Sequence, residues 1–487
     1  MKPSSPAFQY RRPFQELIFS NWILVPFAMV LGAFVAMQFF QLTPRYVKLL
    51  VGVAFLLAVV RLPMPRAVTL FCLIFPAPTF IFLADTNVLF IGLLCLMWLI
   101  RRTRRQASPA VSTTIDWALC IYLGVHILSF INVSSPDALG RGGAVMQFIV
   151  AGVVLFWLIV NAIRTERDLQ LLLQALCWTS AFVYLTAIVE WLGQGAQLVP
   201  EWFLFRGGHT TIKDARIGGI FGFHGLLADW SAMMFFLHVT MAARAQRRIA
   251  RIAYITLAAA SLLMIGISVN RGGAIILILG GAMYLWYIRR HLNWPVIVLW
   301  TVGVVGIGGL LGIASSAFTD RFLLLGRIAG TQFQRGIPDT RIEAWMLVTR
   351  KIPEHWFIGH GPYYDLAGGR NFGVLWPHSA YLFYLYSTGI VGLATFLWIV
   401  LKLYATTRPG SHVNFRRVPI SHAALAIGHI WIVMFAIAQI RDEHQRGNVY
   451  VYVMWITFGV AIAARQIRRD SVRRARAAAA VAASAGP

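Results

Sequence analysis

Acidic side chains are what this 487-residue chain has least of: 18 Asp and Glu stand against 43 Lys and Arg. Charge of either sign makes up only 13% of it, against about 25% in ordinary soluble domains, while 58% is hydrophobic. Such a chain cannot hide its apolar surface in one aqueous globule, and its apolar runs are long enough to span lipid. Cysteine is scarce too. Cys72, Cys95, Cys120 and Cys177 each fall within an apolar segment at no metal-ligand spacing, which excludes a disulfide scaffold and makes them small core residues. Met1 to Ser20 holds Arg11 and Arg12 but no small-residue cleavage site behind a short apolar core, so no removable signal peptide is expected. No internal repeat recurs at a fixed period. The formal charge of +25 would suit nucleic acid if the cations lined one amphipathic face. They sit instead in short clusters between apolar runs, so no nucleic-acid partner is expected.

A hydropathy window of about 19 residues gives fourteen candidate spans: 22–40, 46–60, 67–84, 86–100, 115–132, 143–163, 169–192, 225–243, 252–268, 272–288, 295–315, 379–401, 420–440 and 448–464. The short 46–60 and the Pro- and Asp-broken pair 67–84 and 86–100 are the weakest, so the expected fold is an all-α polytopic bundle of 12 to 14 transmembrane helices. Placing the N-terminus in the cytoplasm puts most of the 43 basic residues on the inner side, as the positive-inside rule requires. Both termini are then cytoplasmic. The organisation reads as a cytoplasmic N-terminus (1–21), N-terminal spans (22–204), central spans (205–315), one long outward loop containing short helices (316–378), C-terminal spans (379–465) and a disordered basic tail (466–487). The bland account of that tail is contact with anionic lipid followed by a frayed end.

What polar chemistry there is gathers on the outer face. Asp214 to His224 carries Arg216 and a set of glycines just before a span. A boundary arginine is also a common snorkelling anchor. Ser268-Val269-Asn270-Arg271-Gly272-Gly273 is a tight hairpin that leaves Arg271 little route to bulk water, and an ionisable group so close to hydrocarbon is a functional candidate. The long loop holds Arg321, Arg327, Arg335, Arg341, Arg350 and Arg370. Within it, Thr340 to Arg350 has the pattern of a short amphipathic helix, with Ile342, Trp345, Met346 and Val348 against the membrane. The loop closes on Trp376-Pro377-His378-Ser379, where Pro377 would hold His378 at a helix entrance.

Arg216, Arg271, Arg341 and His378 are thereby brought to one membrane surface. Arginine stays charged and its planar fork matches phosphate oxygens. A diphosphate leaving group gains charge as its bond to sugar breaks, so fixed guanidinium groups stabilise the transition state more than the ground state. A neutral histidine can accept the proton of an incoming hydroxyl. The face has no HExxH and no Asp-x-Asp pair, so neither a metal nor any other cofactor is expected; His355 and His360 are the remaining pair able to hold a divalent ion. His126, His238 and His429 lie inside spans and read as buried hydrogen-bonding groups, with Asp229 a partner for the His238 helix.

These motifs, in this order, resemble the bacterial O-antigen ligase and O-antigen polymerase superfamily of membrane polysaccharide glycosyltransferases. The likeness rests on Asn270-Arg271-Gly272-Gly273, on Arg341 to Trp345 followed by Ile352 to Gly361, and on His378-Ser379 with Gly389 and Gly392 beyond. It covers about 205–400. Trp356 stands where the family usually has proline, and Asn270 where serine is usual. The resemblance implies a glycan donor on undecaprenyl diphosphate and an acceptor that is another glycan or the lipid A core. It also implies an inner-membrane location with the site on the periplasmic face. Carried over, Arg216 and Arg271 would bind the diphosphate with support from Arg341, and His378 would deprotonate the acceptor for inverting attack. Arg321 and Arg327 are alternatives to Arg341, and Glu343 and His360 are further supporting candidates. Two other classes compete. A secondary transporter would need central charges or paired repeats, which the spans lack. A non-catalytic subunit of an envelope polysaccharide assembly would tolerate Arg-to-Lys exchange on the outer face.

Overall fold

The structure, a computed structural model, describes residues 53, 55–57, 59–76, 86–106, 109–133, 135–193, 217–268, 270–291, 339–362, 378–410, 412–441 and 448–484. The expected spans 22–40 and 295–315 lie outside the described residues, as do most of 46–60 and most of the 316–378 loop. Within the described residues there is no strand. Among the described residues, 53, 55–57 and 59–61 are helical, and thirteen α-helices with both ends described follow in order: α1 Met64–Ile74, α2 Thr86–Thr103, α3 Asp116–Ser129, α4 Pro136–Ala162, α5 Glu166–Gly193, α6 His224–Arg244, α7 Arg248–Ile267, α8 Arg271–Ile288, α9 Asp339–Lys351, α10 Ala380–Ser387, α11 Gly389–Thr407, α12 Ile420–Ala438 and α13 Asn448–Ser484. Eight of them (α2, α4, α5, α6, α7, α11, α12 and α13) are long and apolar enough to cross a membrane. The protein is a helical, multi-pass membrane protein.

Helices are the only open-ended way to carry a backbone through hydrocarbon, because every amide is satisfied within its own segment. What then joins them is close packing and a few interhelical hydrogen bonds. At the centre stand α6, α12 and the first half of α13, up to Ile467, whose apolar residues are buried nearly all round. Small residues set their approach. Gly152 of α4 lies under Trp455 of α13, Gly459 of α13 lies against Ile159 of α4, and Gly428 of α12 meets Ala461 of α13. A β-carbon at any of these would press into its neighbour. Trp431 Nε1 donates to the Met233 carbonyl at 2.7 Å and ties α12 to α6. By contrast α7 turns Ile249, Ile252, Ile255 and Leu262 outward, as a lipid-facing helix does. The expected buried histidines are all there: His126 bonds the Tyr122 carbonyl, His238 the Ser261 hydroxyl and His429 the Thr407 hydroxyl.

Three expectations are corrected. The span 379–401 is two helices, α10 and α11, broken at Thr388 and Gly389, where Gly389 has φ +65°. Of the residues of α9 expected against the membrane, Val348 packs on protein instead, buried with Phe383 and Tyr386 of α10, while Met346 stays exposed. Past Arg465 the chain continues as helix to Ser484, because an Arg- and Ala-rich run has high helix propensity and extends a helix already nucleated by its buried half.

Candidate functional site

The break between α10 and α11 explains what the motif Trp356 to Gly361 does. A broken helix leaves carbonyls unpaired on one side and N–H groups unpaired on the other. The loop supplies both. His360 and Gly361 donate their N–H groups to the carbonyls of Tyr386 and Ser387 at 2.9 and 3.0 Å. Ile390 and Val391 donate theirs to the carbonyls of Trp356 and Phe357 at 2.8 and 3.4 Å. Contact this close needs two glycines: a β-carbon on Gly359 (φ +74°) would overlap the Ser387 backbone, and one on Gly389 would overlap that of Phe357. His360 is absorbed into this docking. Its ring stacks on Tyr386 with centroids 4.5 Å apart, and Nε2 lies 2.9 Å from the Lys351 carbonyl. Burial holds the His360 ring below its ordinary pKa, partly offset by that hydrogen bond. Asn132 Nδ2 donates to the Gly359 carbonyl at 2.6 Å and joins the end of α3 to the same loop.

His378 stands at the entrance of α10, as expected, one residue before the Ser379 cap. It is half-buried and has φ 47°, a left-handed conformation that a non-glycine residue adopts at a cost of roughly 1–2 kcal/mol. The first helical N–H, that of Ala380, donates to the Gln439 carbonyl at 2.9 Å, and Tyr381 Oη donates to the Ala436 carbonyl at 2.7 Å. The His378 helix is therefore fastened to the last turn of α12.

Two residues beyond Gln439, Arg441 reaches the start of α8. Its Nη1 donates to Asn270 Oδ1 at 2.5 Å, and its Nη2 pairs with the Asp229 carboxylate inside α6. Asp229 is fully buried, while the Arg441 side chain keeps 20% of its exposure. Asn270 caps α8: the same Oδ1 accepts from the N–H groups of Gly272 and Gly273 at 3.0 and 3.2 Å. The two glycines after Arg271 each make room. A β-carbon on Gly272 would overlap the Arg441 guanidinium, and one on Gly273 would press on Ala228 of α6. Asn270 thus performs the cap and receives a guanidinium as well.

The segment after Arg216 closes onto the same end. Gly219 (φ +55°) donates its N–H to the buried Glu190 carboxylate at 2.6 Å, and Ile220 donates to Thr186 Oγ1 at 3.2 Å, both on α5. Phe223 packs on Tyr450 of α13 at 5.7 Å, next to the start of α6.

Of the candidate residues, His378 and His360 are described in full. Arg271 is the first residue of α8, and Arg341 and Glu343 lie in α9, with their side chains outside the described part. Arg216, Arg321 and Arg327 lie outside the described residues. The structure brings together the starts of α8 and α10, and it adds Arg441, which the sequence reading passed over. Its signal was Asp229, a charge inside an apolar span that has to find a cation. That partner is Arg441, while His238 on the same helix bonds Ser261. Among the described residues no three His, Cys, Asp or Glu side chains gather as a metal would require, though His355 and His360 lie ring to ring at 4.7 Å. No family model matches the chain, and no curated protein matches it.

Proposed function

We propose that the protein is a membrane glycosyltransferase of the O-antigen ligase or polymerase type, moving a glycan from undecaprenyl diphosphate to an acceptor hydroxyl. One observation supports this reading above the others: Arg271 begins α8 and His378 stands just before the Ser379 cap of α10, at the same end of the bundle, the two helix starts being fastened through Gln439 and Arg441. The start of an 18-residue helix adds its own partial positive charge to that of Arg271, which favours a bound diphosphate. In the reaction, His378 takes the proton of the acceptor hydroxyl as its oxygen bonds to the anomeric carbon. The bond from that carbon to the diphosphate breaks, and undecaprenyl diphosphate leaves with the electron pair. Arg216, Arg271 and Arg341 hold the departing charge, and attack from the opposite face inverts the anomeric configuration. The reading places the site on the periplasmic face of a bacterial inner membrane, with both termini cytoplasmic and a glycan repeat or lipid A core sugar as acceptor.

The test is transfer by detergent-purified protein from an undecaprenyl-diphosphate-linked glycan. His378→Ala should lower turnover by about 10²–10⁴-fold, the usual contribution of a positioned general base. Arg271→Lys should fail nearly as badly as Arg271→Ala, because a point charge does not replace a planar fork. Full transfer by folded His378→Ala and Arg271→Ala proteins rejects the mechanism.

A further inference from the structure

The turn that ends α12 is the piece of chain bonded to both helix starts that carry the proposed chemistry. Its Gln439 carbonyl accepts the first N–H of α10, behind His378. Its Arg441 guanidinium grips the residue in front of Arg271. Neither contact is loose. The carbonyl bond is 2.9 Å, and the guanidinium is fixed at its other prong by Asp229, a carboxylate with no exposure, sunk five residues into α6. Gly272 is shaped to the arrangement, since any side chain there would occupy the place of the guanidinium. An arginine serving only to cap α12 would need none of these partners.

We infer that Arg441 is a positioning residue: braced on Asp229 and bonded to Asn270, it fixes the spacing between the Arg271 helix and the His378 helix. It acts through those two residues and need not touch the substrate. The inference rests on the proposed function for the roles of Arg271 and His378, while the bracing itself can be tested without it. A reaction that needs a base and an anion clamp at a set separation loses turnover steeply when that separation drifts, and loses affinity much less.

Two measurements on the full-length protein separate the possibilities. The first is amide hydrogen exchange, with no substrate. Arg441→Ala should raise exchange at both 270–274 and 378–381 while leaving the α4–α13 contact unchanged. The second is transfer from an undecaprenyl-diphosphate-linked glycan, where Arg441→Ala should lower kcat by about 10²-fold, the scale of a small misplacement of reacting groups, with KM held within a few-fold. Arg441→Lys keeps a cation beside Asp229 but cannot span both partners. It should fold even if the alanine variant does not, and it should fall between wild type and alanine in both measurements. Unchanged exchange at 378–381, or a variant that raises KM alone, overturns the positioning role even with the glycosyltransferase reading intact. Active His378→Ala protein instead removes that reading, and the exchange result still decides whether Arg441 braces the two helices.

Discussion

The two ends of this bundle use arginine in opposite ways. At the end rich in basic residues, guanidinium groups act as staples for backbone: Arg101 donates to the carbonyls of Val59 and Val60, Arg244 to those of Phe415 and Val418, Arg164 to that of Pro109 and Arg468 to that of Pro409. The charge itself is incidental to that task, because a carbonyl asks only for a donor. At the other end Arg441 meets a carboxylate and a capping amide, and Asp229 holds it from inside the bundle. There the charge is compensated and its direction is set. The difference separates cations that hold loops from one that is itself held.

The sharpest way to break that comparison is to remove the counter-charge. Asp229→Ala would strand a largely buried guanidinium and should cost about 3–5 kcal/mol of stability, seen as a large drop in Tm in detergent. Asp229→Ala with Arg441→Met removes both charges and should regain most of it. If the single variant melts like wild type, the pair is no brace. Next in size is the docked helix break. Gly389→Ala forces a side chain into a left-handed conformation against the Phe357 backbone, at a cost of about 1–3 kcal/mol. Protease cleavage within 356–361 should speed up accordingly, and an unchanged cleavage rate would deny the contact. At the opposite end, Arg244→Ala removes two hydrogen bonds to carbonyls from a half-buried side chain. It should cost about 1–2 kcal/mol after allowance for solvent and leave transfer turnover unaltered. A large loss of turnover there would erase the distinction between the two ends.

The smallest expected effect is one of pH. The folded His360 ring is held below its ordinary pKa chiefly by burial, with His355 and Lys351 adding to this and the Lys351 carbonyl and Glu354 opposing it. The undocked ring therefore takes up its proton first, near ~6.5. Docking is at full strength above that value and weakens as pH falls below it. Exchange at the N–H groups of His360, Gly361, Ile390 and Val391 should rise on acidification after correction for intrinsic rates, and His360→Asn should remove the dependence.

Most of the span order was legible because hydropathy is a local property. Runs such as 143–163 and 420–440 declare themselves in any window. The break at Thr388–Gly389 was not legible, since both neighbouring segments are apolar and only docking of Trp356 to Gly361 makes two helices cheaper than one. Arg441 was hidden for a different reason. It follows a span beside Asp442 and Glu443, where a cation looks ordinary, and its carboxylate partner is 212 residues away in sequence. His378 was legible as a helix entrance, but its left-handed backbone and its tie to Gln439 were not.

The sequence by itself determined that this chain crosses a membrane many times as helices, because long apolar runs in lipid have no other way to satisfy their amides. It also placed Arg271 and His378 at the starts of two helices. Only the tertiary structure decided which ends meet, because a hydrogen bond from α10 to α12 and an ion pair from α12 to α6 link residues that no local pattern connects.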